Sequence, residues 1–151
     1  MQTQPSSNNR ITPEQLAVWR LFLRVHARLI RRLEDDLQSK HNLPLAWYDV
    51  LVRLVEADKH RLRMSELADR VMLSPSGLTR LVDRLVAEGL VRRAHAEQDG
   101  RGFYAVLTDE GYQRLREASG THLRGIGEYV MSRYTAEDLR TLASYLSRLD
   151  H

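Results

Sequence analysis

The side chains best suited to polar recognition in this chain are gathered between positions 74 and 101. Ser74, Ser76, Thr79, Arg80 and Arg84 fall in one short stretch, and Arg92, Arg93 and Arg101 follow it. Hydroxyls bond phosphate oxygens or base edges, and an arginine fork gives two parallel bonds to phosphate or to a guanine edge. No motif points to catalysis: a glycine-rich phosphate loop, H-E-x-x-H and G-x-S-x-G are all missing. The chain has no cysteine, which excludes disulfides, thiol catalysis, zinc ribbons and cysteine redox sensing. Its six histidines, His26, His41, His60, His95, His122 and His151, show no zinc-binding spacing and read as surface or core residues. The expectation is a protein that binds rather than reacts, with no metal and no cofactor.

Bulk charge adds little to that reading. Among 151 residues, 23 are basic and 20 acidic, a net charge of +3, far from a histone-like protein. Lysine occurs only at Lys40 and Lys59, so 21 of the 23 basic residues are arginine. Codon usage in a G- and C-rich genome explains most of that bias, and only position can single out individual arginines. A chain of this length makes one domain and buries about two-thirds of its unfolded surface without a staple. Residues 1–10 are polar and read as a disordered tail, with no apolar core of a signal peptide, and no apolar run approaches the roughly 20 residues that span a bilayer. The chain is expected in the cytoplasm, on the nucleoid, without membrane contact.

The elements that must position the polar cluster are legible from caps and periodicity. Thr12-Pro13-Glu14-Gln15 is a capping box with proline in the first turn, opening a helix that ends near Lys40 to Asn42. Its apolar residues, Leu16, Val18, Trp19, Leu21, Phe22, Leu23, Val25, Leu29, Ile30, Leu33 and Leu37, occupy more than one face, which calls for a partner as well as a core. Helices are expected over 45–56, 65–72 and 75–88. In the last of these Leu78, Leu81, Val82, Leu85 and Val86 form a one-sided stripe, Ser74 caps, and Gly89 closes.

From 90 to 108 the period changes to that of strands. Residues 90–95 and 103–107 read as a hairpin with Asp99-Gly100 at its turn and Arg101 at its tip. A long helix is expected from Thr108 to about Tyr134, with Tyr112, Leu115, Ser119, Leu123, Ile126 and Val130 as its stripe. The last helix opens at Thr135, with Leu139, Leu142, Ala143, Leu146 and Leu149.

Helix, tight turn, helix and arginine-tipped hairpin together make a winged helix-turn-helix, whose second helix enters a DNA major groove. With the stripe inward, Ser76, Thr79, Arg80, Asp83 and Arg84 face out, and Arg101 beside two glycines suits a narrow minor groove. Asp83 or Asp99 is expected to orient an arginine rather than touch DNA. The alternative is a winged helix used only as a protein-interaction module.

The chain resembles the MarR (multiple antibiotic resistance regulator) transcription factors from about Ile11 to Asp150. The stretches that carry the likeness are Ser65-Glu66-Leu67-Ala68, Ser74 to Leu85, Glu88-Gly89-Leu90-Val91, Asp99-Gly100-Arg101 and Leu107-Thr108-Asp109-Glu110-Gly111. The resemblance implies a mainly α fold with a small β hairpin. A winged lobe would cover about 45–107, and dimerisation helices about 12–41 and 108–150. It further implies a homodimeric bacterial repressor on a palindromic operator near promoters, released by small phenolic or anionic ligands. One departure is Leu43-Pro44-Leu45, where family members often place Ser or Thr ahead of the second helix.

The resemblance also implies an effector site where the lobe meets the dimer helices, between the first, second and fifth helices. Its candidates are Trp19, His26, Trp47, Tyr48, Asp49 and Arg53, with Asp49 and Arg53 spaced to pair on one helix face. The plainer reading makes both tryptophans core aromatics. Gly120, Gly125 and Gly127 fall inside the long helix, where they serve close packing or a hinge.

Overall fold

A computed structural model of the chain describes residues 10–95 and 102–150. The polar tail before Arg10, and Glu97, Asp99 and Arg101 of the hairpin tip, lie outside the described residues. Within them run α1 (Pro13–His41), α2 (Leu45–Glu56), β1 (Arg61–Arg63), α3 (Met64–Val71), α4 (Pro75–Ala87), β2 (Val91–His95), β3 (Phe103–Leu107), α5 (Asp109–Tyr129) and α6 (Ala136–Leu146). Short 3-10 turns occupy Asp58–His60 and Met131–Arg133. The mainly helical architecture with a small sheet is the one expected. Among the described residues no helix is long and apolar enough to cross a membrane.

The helix boundaries follow from local chemistry. Thr12 Oγ1 accepts from the Gln15 amide and Gln15 Oε1 accepts from the Thr12 amide, closing the capping box of α1. At the other end Asn42 takes left-handed φ 48°, which Asn tolerates. For α2, Pro44 offers no side-chain cap. Its first amide is satisfied from a distance instead: the Leu45 N–H donates to Glu34 Oε2 on α1 at 2.8 Å. The carboxylate of one helix thus replaces the Ser or Thr missing ahead of the next.

α4 ends in a full left-handed stop. Gly89 has φ +73°, its amide donates to the Val86 carbonyl, and the Leu90 amide reaches back to the Leu85 carbonyl. The chain then enters β2, which pairs antiparallel with β3, Val91 facing Leu107 and His95 facing Phe103. β1 joins the other edge of β3, Leu62 facing Ala105, giving the order β1-β3-β2. This third strand was not expected. Arg61-Leu62-Arg63 alternates, with Leu62 inward, but three residues are too short a run to mark a strand, and the open edge of β3 makes them one.

One core holds the lobe together. Leu37, Leu43, Leu51, Leu54, Leu67, Leu78, Leu85, Val50, Val82 and Val91 are fully buried. α1 contributes only Leu33 and Leu37 to burial, both near its C-terminal end. Val18, Trp19, Leu21, Phe22, Leu23, Val25 and Ile30 stay exposed, and α6 buries nothing. α5 differs from its expected course. It ends at Tyr129, and its inward residues are Gly111, Leu115, Ala118, Thr121 and Gly125, while Leu123 faces out at 63% exposure.

α1 and α5 are joined by polar contacts as well as packing. Arg114 donates to the His41 carbonyl at 2.9 Å, and His41 Nε2 and Thr121 Oγ1 share a 2.8 Å hydrogen bond. The Tyr129 hydroxyl donates to Asp36 Oδ2 at 2.5 Å, and this bond, then Lys40, holds the Asp36 carboxyl below its ordinary range.

Of the three glycines in α5, Gly125 serves close packing, since a Cβ there would press on Leu33 Cδ2 at 2.9 Å. Gly120 meets only the flexible end of Arg124, at 3.5 Å. The tightest position is Gly111, where a Cβ would fall on the Leu90 carbonyl oxygen. Thr108 fixes the same joint: its amide donates to the Leu90 carbonyl and its hydroxyl to the Gly89 carbonyl at 2.7 Å.

Gly111→Ala should therefore force backbone apart and destabilise by about 1–3 kcal/mol, the usual range for overpacking. Gly120→Ala should stabilise by up to about 1 kcal/mol through helix propensity. Thermal unfolding of both variants checks the opposite signs, and a Gly111→Ala protein as stable as the parent would refute the close approach.

Candidate nucleic-acid interface and effector cleft

The face of α4 is set by what the helix buries. Leu78, Val82 and Leu85 are buried and Leu81 is partly so, while Val86, expected inward, is exposed. Burying each large side chain is worth about 1.5–3 kcal/mol, so several kcal/mol fix the roll of the helix. Ser76, Thr79, Arg80, Asp83 and Arg84 are consequently all exposed, as the stripe requires. Ser74 caps α4, its Oγ accepting from the Gly77 amide at 3.1 Å and lying 3.4 Å from Ser76 Oγ. Thr79 turns its hydroxyl back to the Pro75 carbonyl at 2.9 Å, leaving its methyl side free.

The side chains of Arg80 and Arg84 form no ion pair or hydrogen bond with any described residue. Pairing of Arg80 with Asp83 is not what the helix uses. Asp83 instead binds Arg93 of β2 at 2.8 Å. Such a partly exposed pair is worth at most about 1 kcal/mol, less than the burial beneath it. Its effect is geometric: it ties the hairpin to the outward face of α4 and orients an arginine, the role expected of an aspartate here. Arg93 also lies over the Phe103 ring, 6.0 Å from its centre. Arg92 is exposed on the same strand. Arg101, the proposed tip, lies outside the described residues.

The α3–α4 turn delivers this helix. Met72 sits in the left-handed region at φ 56° and is 92% exposed, and Leu73 leads directly into the Ser74 cap. Behind that turn, between it, α1 and α2, opens a cleft of about 540 Å³. Its walls are apolar, with Ile30 from α1, Leu45 from α2, and Val71 and Leu73 from the turn. Its polar side chains are His26, Glu34 and Asp49.

The six expected effector residues do not converge. His26 and Asp49 share the cleft. Trp47 lines a separate, more polar pocket with Arg114 and Glu110. Trp19 is exposed higher on α1, stacked on Phe22 with ring centres 6.0 Å apart, and is no core aromatic within one chain. Tyr48 is buried behind the cleft, its ring 4.5 Å from His122. Arg53 pairs with Glu56 at 3.3 Å and not with Asp49: the i,i+4 spacing allows that pair, but Asp49 is turned to the cleft. Sequence reading missed Glu34, Val71 and Leu73. Glu34 was masked by its place among charges at the end of a long helix, and the two apolar residues by looking like ordinary core.

Asp49 is electrostatically unusual. It accepts no hydrogen bond and forms no ion pair with any described residue. Desolvation raises its carboxyl above the ordinary range, against the pull of His122 and Arg53, and Glu34 adds to the rise. His122, on α5, is shifted the other way: desolvation lowers it, and Asp49 opposes. Its Nδ1 is buried without a hydrogen-bond partner. Among the described residues no group of three His, Asp or Glu side chains is placed to share a metal ion.

Comparison with known proteins finds the same architecture elsewhere. A family model described as MarR family matches residues 41–102. The structure of AbsC, a MarR family transcriptional regulator from Streptomyces coelicolor, superposes with a TM-score of 0.88 at 34% identity, over 93% of this chain and 95% of that one. Sco3205, a MarR family regulator from the same organism solved in complex with DNA, gives 0.88 at 35% identity, over 93% and 89%. The transcriptional repressor YetL of Bacillus subtilis is 35% identical over 91 residues, 60% of this chain and 54% of that protein, so the match spans about half of its length.

The half-buried His122 has a consequence for stability. Its folded pKa lies below the unfolded value of 6.5, so below that pH the unfolded chain binds the proton more readily. Stability is full above pH 6.5 and declines as pH falls through the window beneath it. Asp49, raised from 3.8, works in the opposite sense, holding its proton better when folded. Melting temperatures of the parent and of His122→Phe, measured from pH 7.5 to 5, should diverge, with the parent losing more on acidification. Parallel curves would count against a half-buried neutral imidazole.

Proposed function

The chain belongs to the MarR family, and on that premise we propose that it is a DNA-binding transcriptional repressor that reads a palindromic operator as a homodimer. The observation that carries this reading is the outward face of α4, where Arg80 and Arg84 stand exposed without protein partners beside the Asp83–Arg93 tie to the hairpin. α4 enters the major groove, with Arg80 donating two bonds to a guanine and Ser76 and Thr79 meeting phosphate or a base edge. The Ser74-capped helix end adds backbone N–H groups toward a phosphate. Arg84 and Arg92 contact the backbone, and Arg101 enters the adjacent minor groove.

The homodimer is supported by the uncovered apolar surface of α1 and α6. Trp19, Phe22, Val18 and Leu149 are all more than 45% exposed in one chain, and Leu146 is 45% exposed. So many exposed large apolar side chains on a single copy mark an association surface. Two-fold pairing places two copies of α4 on half-sites about one helical turn apart, hence an inverted repeat. The cleft beneath the α3–α4 turn takes a small effector that releases the DNA.

Gel shifts across a salt series test the reading, because phosphate neutralisation makes affinity fall steeply with salt. Arg80→Ala should cost about 1–3 kcal/mol on the operator and relax preference at one base position. Arg101→Ala should weaken binding on every sequence alike and shallow the salt slope by about 1 per half-site. Salt-independent association, or none, would leave only the protein-interaction reading.

A further inference from the structure

The effector cleft carries a charge opposite to the one the family resemblance implies. Among the described residues no lysine or arginine lines it, while two carboxylates, Glu34 from α1 and Asp49 from α2, do. Glu34 is already engaged, one oxygen accepting the Leu45 amide at the start of α2. Asp49 is exposed and its carboxylate is not engaged: it lines the cleft beside apolar walls and receives no hydrogen bond from any described residue. A carboxylate without a protein partner beside apolar walls attracts a positive charge and repels a negative one. An anionic ligand would add a third negative charge to that space. His26 adds a flat ring on the α1 side, its centre 6.5 Å from that of Phe22.

We propose that the cleft takes a lipophilic organic cation, an apolar body carrying a quaternary or protonated nitrogen, whose charge pairs with Asp49 while its body lies on Ile30, Leu45, Val71 and Leu73. The volume of about 540 Å³ suits one drug-sized molecule. This assignment rests on the reading of the chain as an effector-released DNA-binding repressor, and it names the chemistry of that effector. The route to DNA is short. Val71 and Leu73 bracket the α3–α4 turn, and Leu73 directly precedes Ser74, the cap of α4. A body wedged between α1 and this turn displaces the start of the helix that meets the groove.

Charge can be tested apart from shape with two isosteric probes, tetraphenylphosphonium and tetraphenylborate. Calorimetric titration of the full chain in sodium buffer should show the cation binding at least tenfold tighter than the anion. Asp49→Asn should weaken the cation at least fivefold and leave the anion unchanged or tighter. Equal affinity for the two ions, tighter anion binding, or an Asp49→Asn variant indistinguishable from the parent would each overturn the assignment. Gel shifts with the cation form the second arm. Loss of the shifted band at saturating probe supports the coupling, and an unmoved band overturns it. If the chain binds no DNA, the repressor reading fails by itself, while the charge preference is still read from the titration.

Discussion

Everything this molecule presents to a partner depends on how α4 is seated. Three buried side chains, Leu78, Val82 and Leu85, fix its rotation, and the left-handed stop at Gly89 fixes where it ends. Once those are set, the directions of Ser76, Arg80 and Arg84 are no longer free. Their outward direction follows from the packing of the core beneath them. The Asp83–Arg93 pair adds little energy in solvent but ties the hairpin to that orientation. A recognition face held by apolar packing and only trimmed by ion pairs keeps its geometry as salt changes, while its attraction to phosphates does not.

A second constraint is that one chain cannot cover its own apolar surface. Only the C-terminal part of α1 reaches the core, through Leu33 and Leu37. The remainder of that helix, with α6, presents aromatic and aliphatic side chains to solvent. The lobe and this uncovered surface are linked through α5, whose first turn is locked to the α4–β2 corner by Thr108 and Gly111 and whose middle is locked to α1 by Thr121 and Gly125. α5 thus joins α1 to the lobe through direct contacts at both of these points.

Much of this was legible in the sequence, for identifiable reasons. Caps are local, so Thr12-Pro13, Ser74-Pro75, Thr108 and Thr135 marked their helices within a residue or two. A one-sided stripe is also local, and it gave the outward set on α4, missing only that Val86 falls past the edge of the core. What escaped was decided by distant partners. β1 exists because β3 has a free edge. Leu123 faces out because Gly111, Ala118 and Gly125 permit the closer approach on the other side of α5. Arg53 had two acidic neighbours on its own helix, and the sequence could not say that Glu56 would win because Asp49 was turned away. The effector residues suffered most: His26 and Asp49 meet, but the walls of their cleft come from a turn that spacing alone does not place beside α1.

Glu34 shows how tightly these distant choices are joined. The proline ahead of α2 removes the usual local cap, and the carboxylate that replaces it comes from α1. The same carboxylate lines the cleft, one helical element away from the turn that starts α4. A local cap would have made α2 indifferent to where α1 lies. With the cap borrowed from α1, the start of α2 is satisfied only while the two helices keep their spacing, since a hydrogen bond to a charged group weakens steeply with distance and angle. The cleft between α1 and the turn is thus bounded by a contact that reports its width. A molecule that widens it must either strain that bond or carry the α2 end along with α1. The first response moves the start of α2 relative to the long helix α1, and the second moves the two together.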